Sequence, residues 1–178
     1  MGVRPLERAL LFFWLLLCFS ISTKGRSLHK YDEKKGEEGE EDIVSEFLVP
    51  QNEARAKVGD PPLVWDTKVA SYAEWYAHQR QGDCALKHSS GPYGENIFWG
   101  GGSAWQPKDA VNAWVGEDEY FNYHTHSCNG YEECGHCTQI VWKNSLRVGC
   151  AKVICNSGDT FMTCNYDPPG NYVGQKPY

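Results

Sequence analysis

The sequence has no surplus of positive charge: 17 Lys and Arg stand against 23 Asp and Glu. Without a basic patch to neutralise phosphates, nucleic acid is not an expected partner, and a cationic attack on membranes is equally unsupported. A second long apolar run is also missing. The one present, Ala9 to Phe19, follows Arg4 and Arg8 and precedes small or polar residues from Ser20 to Gly25. It is shorter than the roughly 20 residues that a membrane-spanning helix needs. The pattern therefore reads as a cleaved secretory signal over residues 1–26 and a soluble product. No Asn-x-Ser/Thr sequon occurs, so N-glycosylation is not expected. There is no His-Glu-x-x-His helix and no nucleophile with an evident partner base, so no catalytic residues are assigned and the chain does not read as an enzyme. No internal repeat is visible.

Cysteine, by contrast, is abundant. Of eight, Cys18 leaves with the signal, and Cys84, Cys128, Cys134, Cys137, Cys150, Cys155 and Cys164 remain. In an oxidising compartment this density reads as a disulfide framework. Seven is odd, so one thiol is left over. Without residues 1–26 the chain keeps 13 basic and 22 acidic residues, many of the latter in residues 27–42. That stretch has two glycines and almost no apolar side chains, and reads as an acidic disordered leader.

The folded part begins at Ile43. Ile43, Val44, Phe47 and Leu48 recur at helical spacing, with Pro50 expected in a first turn or at a break. Asp66 is a good N-cap for a helix over Thr67 to Arg80, whose apolar face carries Val69, Tyr72, Ala73 and Tyr76. Gly91 to Gly102, rich in glycine and aromatics, reads as an irregular loop. Pro107 opens a further helix with Asp109 in its first turn and Ala110, Val111 and Trp114 facing inward. Three strand-like runs follow: Thr138 to Trp142, Val148 to Ile154 and Thr160 to Tyr166, the last two flanking a turn at 156–159. Helices first and strands later give an α+β layered domain. After Asp167 the Pro-, Gly- and Tyr-rich segment is expected to lack regular structure.

Five segments stand in a recognisable order: Gly94-Glu95-Asn96, Cys134-Gly135-His136, Thr138 to Trp142, Val148 to Ala151 and Cys164 to Tyr172. They resemble the CAP superfamily, and within it plant pathogenesis-related protein 1, over about Ile43 to Tyr178. The resemblance implies a three-layer α-β-α sandwich around a central, mainly antiparallel sheet, and a secreted plant defence protein of the apoplast or cell wall. Some relatives bind sterols, so a sterol or other lipid is the implied partner, with a microbial surface as a further one and a monomer as the implied state. Two departures stand out: Gln51 replaces a usual His, and Cys137 replaces a usual Tyr.

The family's cleft residues fall on His88, Glu95, Glu117 and His136. Two imidazoles and two carboxylates could hold a divalent ion such as zinc weakly, or form a hydrogen-bonded cluster; no cofactor is required. A metal-dependent hydrolase using this cleft and a structural wall protein are the competing readings. A local zinc module from His124, His126, Cys128, Cys134, His136 and Cys137, or a redox pair of Cys134 with Cys137, competes less well with oxidised cysteines. Tyr120, Phe121 and Tyr123 carry the implied lipid contact.

The turn centred on Ser157 sets Cys150 opposite Cys164, within disulfide reach. Cys128 and Cys134 bracket a short Gly-containing loop and are expected to pair. Cys84 then joins Cys155, the connectivity that the family shows, and Cys137 is the odd, buried thiol. Pro168 to Tyr178 matches the pattern of the family's signalling peptides. Cleavage between Asp167 and Pro168 is implied, as is a receptor for the released peptide.

Overall fold

Antiparallel pairing around the 156–159 turn organises the computed structural model, which describes residues 42–130 and 133–178. The signal and all of the leader except Asp42 lie outside these residues. Strand β5 (Arg147–Ile154) and strand β6 (Thr160–Asp167) pair in a register that sets Cys150 against Cys164. Two further strands complete a sheet of order β1-β5-β6-β2: β1 (Val64–Trp65), parallel to β5, and β2 (Gly94–Gly100), antiparallel to β6.

The β2 segment corrects the expected loop. Its glycines, with Glu95 and Asn96, give little strand propensity, but seven successive residues find partners on β6, and cross-strand pairing overrides intrinsic preference.

Helix α1 covers residues 42–58 and runs through Pro50 without a break. A proline inside a helix forfeits one backbone bond. Packing offsets that cost, because Phe47, Gln51 and Arg55 on the inward face are fully buried. Helix α2 (Thr67–Arg80) starts where Asp66 accepts from the backbone N–H groups of Lys68 and Val69. It lies so close to the sheet that a Cβ at Gly149 would collide with the Ala70 backbone. Helix α3 (Pro107–Gly116) leads into a 3-10 turn (Glu117–Tyr120) and a small hairpin of β3 (Phe121–Asn122) and β4 (Ser127–Cys128).

Helix α4 (Gly135–Ile140) is the second correction, since Thr138 to Trp142 reads as a strand. Both its ends are held from elsewhere. The Glu117 carboxylate accepts from the His136 and Cys137 N–H groups at 3.0 and 3.2 Å. At the other end Arg55, buried in α1, donates to the carbonyls of Ile140, Trp142 and Ser145 at 2.8, 2.9 and 3.0 Å. These contacts satisfy backbone groups that a short helix leaves open.

Side chains alternate between the two faces of the sheet. Val148, Cys150, Met162, Cys164 and Tyr166 pack with α1, α3 and α4. Ala151, Val153 and Phe161 pack with α2. The domain is thus an α-β-α sandwich. Three disulfides staple it: Cys84–Cys155, Cys128–Cys134 and Cys150–Cys164. Cys137 is free and buried. Among the described residues, no helix is long and apolar enough to cross a membrane.

Candidate functional site

The site forms where β2, an edge of the sheet, meets the segment that joins α2 to it, which carries His88, and α4, which carries His136. Adjacent residues of a strand face opposite sides, so Glu95 looks toward the α2 layer and Asn96 toward the α4 layer. Glu95 is nearly buried; its Oε1 lies 2.8 Å from His88 Nδ1 and accepts from the Ser89 N–H at 2.8 Å. Its Oε2 accepts from Asn165 Nδ2 at 3.0 Å.

On the other face His136 Nδ1 lies 2.6 Å from Glu117 Oε1, and the imidazole stacks on Trp114 at 6.1 Å. A carboxylate only accepts, so Nδ1 carries the proton in both pairs and Nε2 is the nitrogen left to meet a ligand. Asn96 Nδ2 donates to the His136 carbonyl at 3.0 Å and to Tyr166 Oη at 3.2 Å. Tyr166 Oη in turn donates to Gln51 Oε1 at 2.8 Å. Gln51, in the place of the usual His, thereby ends a buried chain running from the edge strand to α1.

His88, Glu95, Asn96, Glu133, His136 and Asn171 line one cavity of about 230 Å3. Glu117 stands behind His136 and holds it. The four expected residues thus form two His–Glu pairs, three of whose members reach the cavity. Asn96, Glu133 and Asn171 had no spacing signal: they come from a strand, a loop and the segment after β6, joined only by folding.

Among the described residues, no three His, Cys, Asp or Glu form a group able to hold a metal ion. Each carboxylate already serves its own histidine and nearby backbone or amide N–H groups. The local zinc-module reading fails because Cys128 and Cys134 are oxidised. The same bond excludes a Cys134–Cys137 redox pair.

Electrostatics follow the pairing. Burial would raise the Glu95 pKa, but hydrogen bonds from His88, Ser89 and Asn165 outweigh it and hold it below the usual value. The hydrogen bond to Glu95 raises the His88 pKa, against a smaller opposing effect of burial. Burial, with Asp118 and Glu117 nearby, pushes the Cys137 thiol up to about 12.

The residues expected to touch lipid separate. Phe121 lines an open hollow of about 330 Å3 together with His126, Trp142, Tyr172, Val173 and Pro177. Tyr123 instead stacks on Tyr178, with ring centroids 5.0 Å apart. The Tyr120 carbonyl accepts from the Asn129 N–H at 2.7 Å.

Residues 168–178 form neither helix nor strand, yet they are anchored. The Gly170 N–H donates to Gln139 Oε1 at 3.0 Å, and Asn171 bridges Thr138 Oγ1 and the Gly135 carbonyl at 2.8 Å each. Gly170 has no room for a side chain, since a Cβ there would meet Trp142 and Gln139. Just before it, Asp167 ends β6 and takes a hydrogen bond from Arg147 Nη2 at 2.6 Å.

Residues 49–166 match the model of the CAP family, the cysteine-rich secretory protein family. The chain is 61% identical over 135 residues to pathogenesis-related protein PR-1 of Medicago truncatula, covering 75% of this chain and 78% of that protein. The chain belongs to the pathogenesis-related protein 1 group of the CAP family. Pathogenesis-related protein 1 of Arabidopsis thaliana is 52% identical over 138 residues, covering 78% of this chain and 84% of that one. Among solved CAP-like structures, that of NaASP2 with Zn2+ matches at a TM-score of 0.62 and 25% identity, covering 76% of this chain and 84% of the other.

Proposed function

We propose that this pathogenesis-related CAP protein is a secreted, extracellular plant defence protein that binds a sterol or similar lipid in the hollow beside Phe121. The carrying observation is chemical. That hollow combines Phe121, Trp142, Tyr172 and Val173 in one open concavity, and Tyr172 and Val173 are exposed. A rigid apolar ring system gains by covering such side chains, at about 25 cal/mol per Å2 of apolar surface removed from water. The lipid is the means of meeting a microbial surface as a monomer. The test is titration with a fluorescent sterol: saturable binding that weakens in Phe121→Ala and Tyr172→Ala supports the reading, and equal binding by both variants and the parent rejects it.

The His–Glu cavity has a subsidiary role in this proposal, holding a divalent ion such as zinc weakly through the Nε2 atoms of His88 and His136. NaASP2, whose structure was solved with Zn2+, supports this choice of ion. Two imidazoles fall short of the four ligands of a structural zinc site, so they would hold such an ion only weakly. No step of catalysis is assigned to it.

Residues 168–178 are also a candidate signalling peptide, released for a receptor by cleavage after Asp167. Three prolines, two glycines and no cysteine favour release. The anchors at Gly170 and Asn171 oppose it, so a protease must first lift the segment from α4.

A further inference from the structure

Two separate parts of the chain build the hollow beside Phe121. Phe121 and Cys128 of the β3–β4 hairpin, with Thr138 of α4 and Trp142 just after it, form one wall. Asn171 to Gln175 and Pro177, all from the segment that follows β6, form the other. The walls meet at Trp142 and Tyr172, whose ring centroids lie 6.2 Å apart. A ligand that fills the hollow therefore touches both.

The second wall is a strap fixed at both ends and exposed between them. At its start Gly170 and Asn171 are bonded to α4, and the Pro168 carbonyl accepts from Ser145 Oγ at 2.8 Å. At its end Pro177 is buried, and its carbonyl accepts from the Lys143 N–H at 2.7 Å. Tyr178 then stacks on Tyr123 and lines a separate cavity of about 140 Å3 with Ala54, Val58 and Val115. Between these anchors Tyr172 and Val173 are exposed. The Asp167–Pro168 bond lies directly before the first anchors, where Asp167 still pairs with Arg147. Proteolysis acts on an opened form of the chain, so Pro168 to Asn171 must leave α4 before this bond is reached. Asn171 is part of the strap, and its departure breaks the wall of the hollow.

We propose that lipid occupancy of the hollow and release of residues 168–178 exclude one another, so that bound lipid holds the C-terminal segment in place and loss of the lipid exposes it to protease. This rests on the lipid reading of the hollow and on the precursor reading of residues 168–178. The cut itself is hydrolysis by an extracellular protease. Water adds across the Asp167–Pro168 amide, leaving a carboxylate on Asp167 and a secondary amine on Pro168 that takes up a proton. The coupling is thermodynamic. A ligand that binds the closed form and not the open one lowers the open population by the factor 1 + [L]/Kd, about tenfold when free ligand stands at ten times Kd. Cleavage that draws on a rapidly exchanging open state slows by the same factor. The relation is reciprocal: once the segment has gone, one wall of the hollow has gone with it, and the lipid leaves.

The experiment uses the folded protein in full and the fluorescent sterol dehydroergosterol, whose Kd is first measured by titration. Hydrogen exchange over residues 168–178 is then followed by mass spectrometry without sterol and with sterol at ten times Kd. The same samples are given extracellular protease from stressed tissue. Release of the fragment is expressed relative to cleavage of a synthetic peptide spanning residues 160–178, which corrects for any effect of sterol on the protease. Exchange and release are both expected to slow about tenfold, while the 156–159 turn, at the other end of β6, keeps its rate. Phe121→Ala, which weakens binding from the opposite wall, should need proportionally more sterol for the same protection. Saturable binding that leaves exchange over residues 168–178 unchanged overturns the coupling and leaves the lipid reading standing. Absence of saturable binding overturns the lipid reading and the coupling with it. Slowed exchange with fragment release unslowed, or absent with and without sterol, overturns the link to release.

Discussion

Glu117 grips His136 twice, taking its backbone N–H on Oε2 at 3.0 Å and its ring Nδ1 on Oε1 at 2.6 Å. One carboxylate thus starts α4 and fixes the imidazole that α4 presents to the cavity. Glu117→Ala is expected to cost about 2 kcal/mol, the loss of hydrogen bonds to a charged, half-buried group. It also frees the His136 ring. Urea unfolding and the dispersion of the His136 ring resonances measure the two effects. Unchanged stability with an unmoved ring would show that α4 forms without this cap.

Arg55 does the corresponding work at the other end of α4. Its guanidinium is buried and spread over several carbonyls, and burial lowers its pKa. Removing it strands those carbonyls, so Arg55→Met is expected to lose on the order of 3–5 kcal/mol. Arg55→Lys should rescue little, since a compact ammonium cannot reproduce the planar fork. Full rescue by lysine, read from denaturant midpoints, contradicts this account.

The His88–Glu95 pair makes stability depend on pH in both directions. The folded His88 pKa is raised above its ordinary 6.5, so its contribution is complete below 6.5 and is lost as pH rises through the folded value. The folded Glu95 pKa is lowered below its ordinary 4.5, so its contribution is complete above 4.5 and is lost as pH falls through the folded value. The difference in unfolding free energy between the parent and His88→Ala should therefore peak between pH 4.5 and 6.5. With the His88 side chain 58% exposed, solvent keeps the peak small. A difference that is flat across this range refutes the pairing.

Zinc binding is expected to compete with the same protons. Calorimetry should find weak binding near neutral pH that fades by about pH 5, where imidazole is protonated. His136→Ala should abolish it. Binding that survives this substitution places the ion elsewhere.

Release of residues 168–178 is expected to be slow in the folded protein, because Gly170 and Asn171 are bonded to α4. Thr138→Ala removes the hydroxyl that donates to Asn171 and should speed cleavage after Asp167 by extracellular protease from stressed tissue. Asp167→Ala should block it. If mass spectrometry never finds the eleven-residue fragment from either the parent or Thr138→Ala, the precursor reading is wrong.

The sequence alone determined what depends on local pattern. Asp66 and Pro107 start their helices, the 156–159 turn sets Cys150 against Cys164, and the spacing of apolar residues marks the inward faces of α2 and α3. These features need only neighbouring residues, so a linear reading reaches them. The ordered motifs also identified the CAP family. Tertiary structure decided the rest. Thr138 to Ile140 carries strand-forming residues and became helical because Glu117 and Arg55, far away in the chain, satisfy its ends. Gly94 to Gly100 looked irregular and became a strand because β6 offered an open edge. Pro50 stays inside α1 because Phe47 and Gln51 beside it are buried against the distant sheet, Phe47 in the core with Tyr166 and Gln51 accepting from the Tyr166 hydroxyl. Asn171 and Tyr178 reach two separate cavities only because the segment after β6 folds back over α4. Each outcome rests on a partner more than a dozen residues distant, and such partners leave no periodic trace in the sequence.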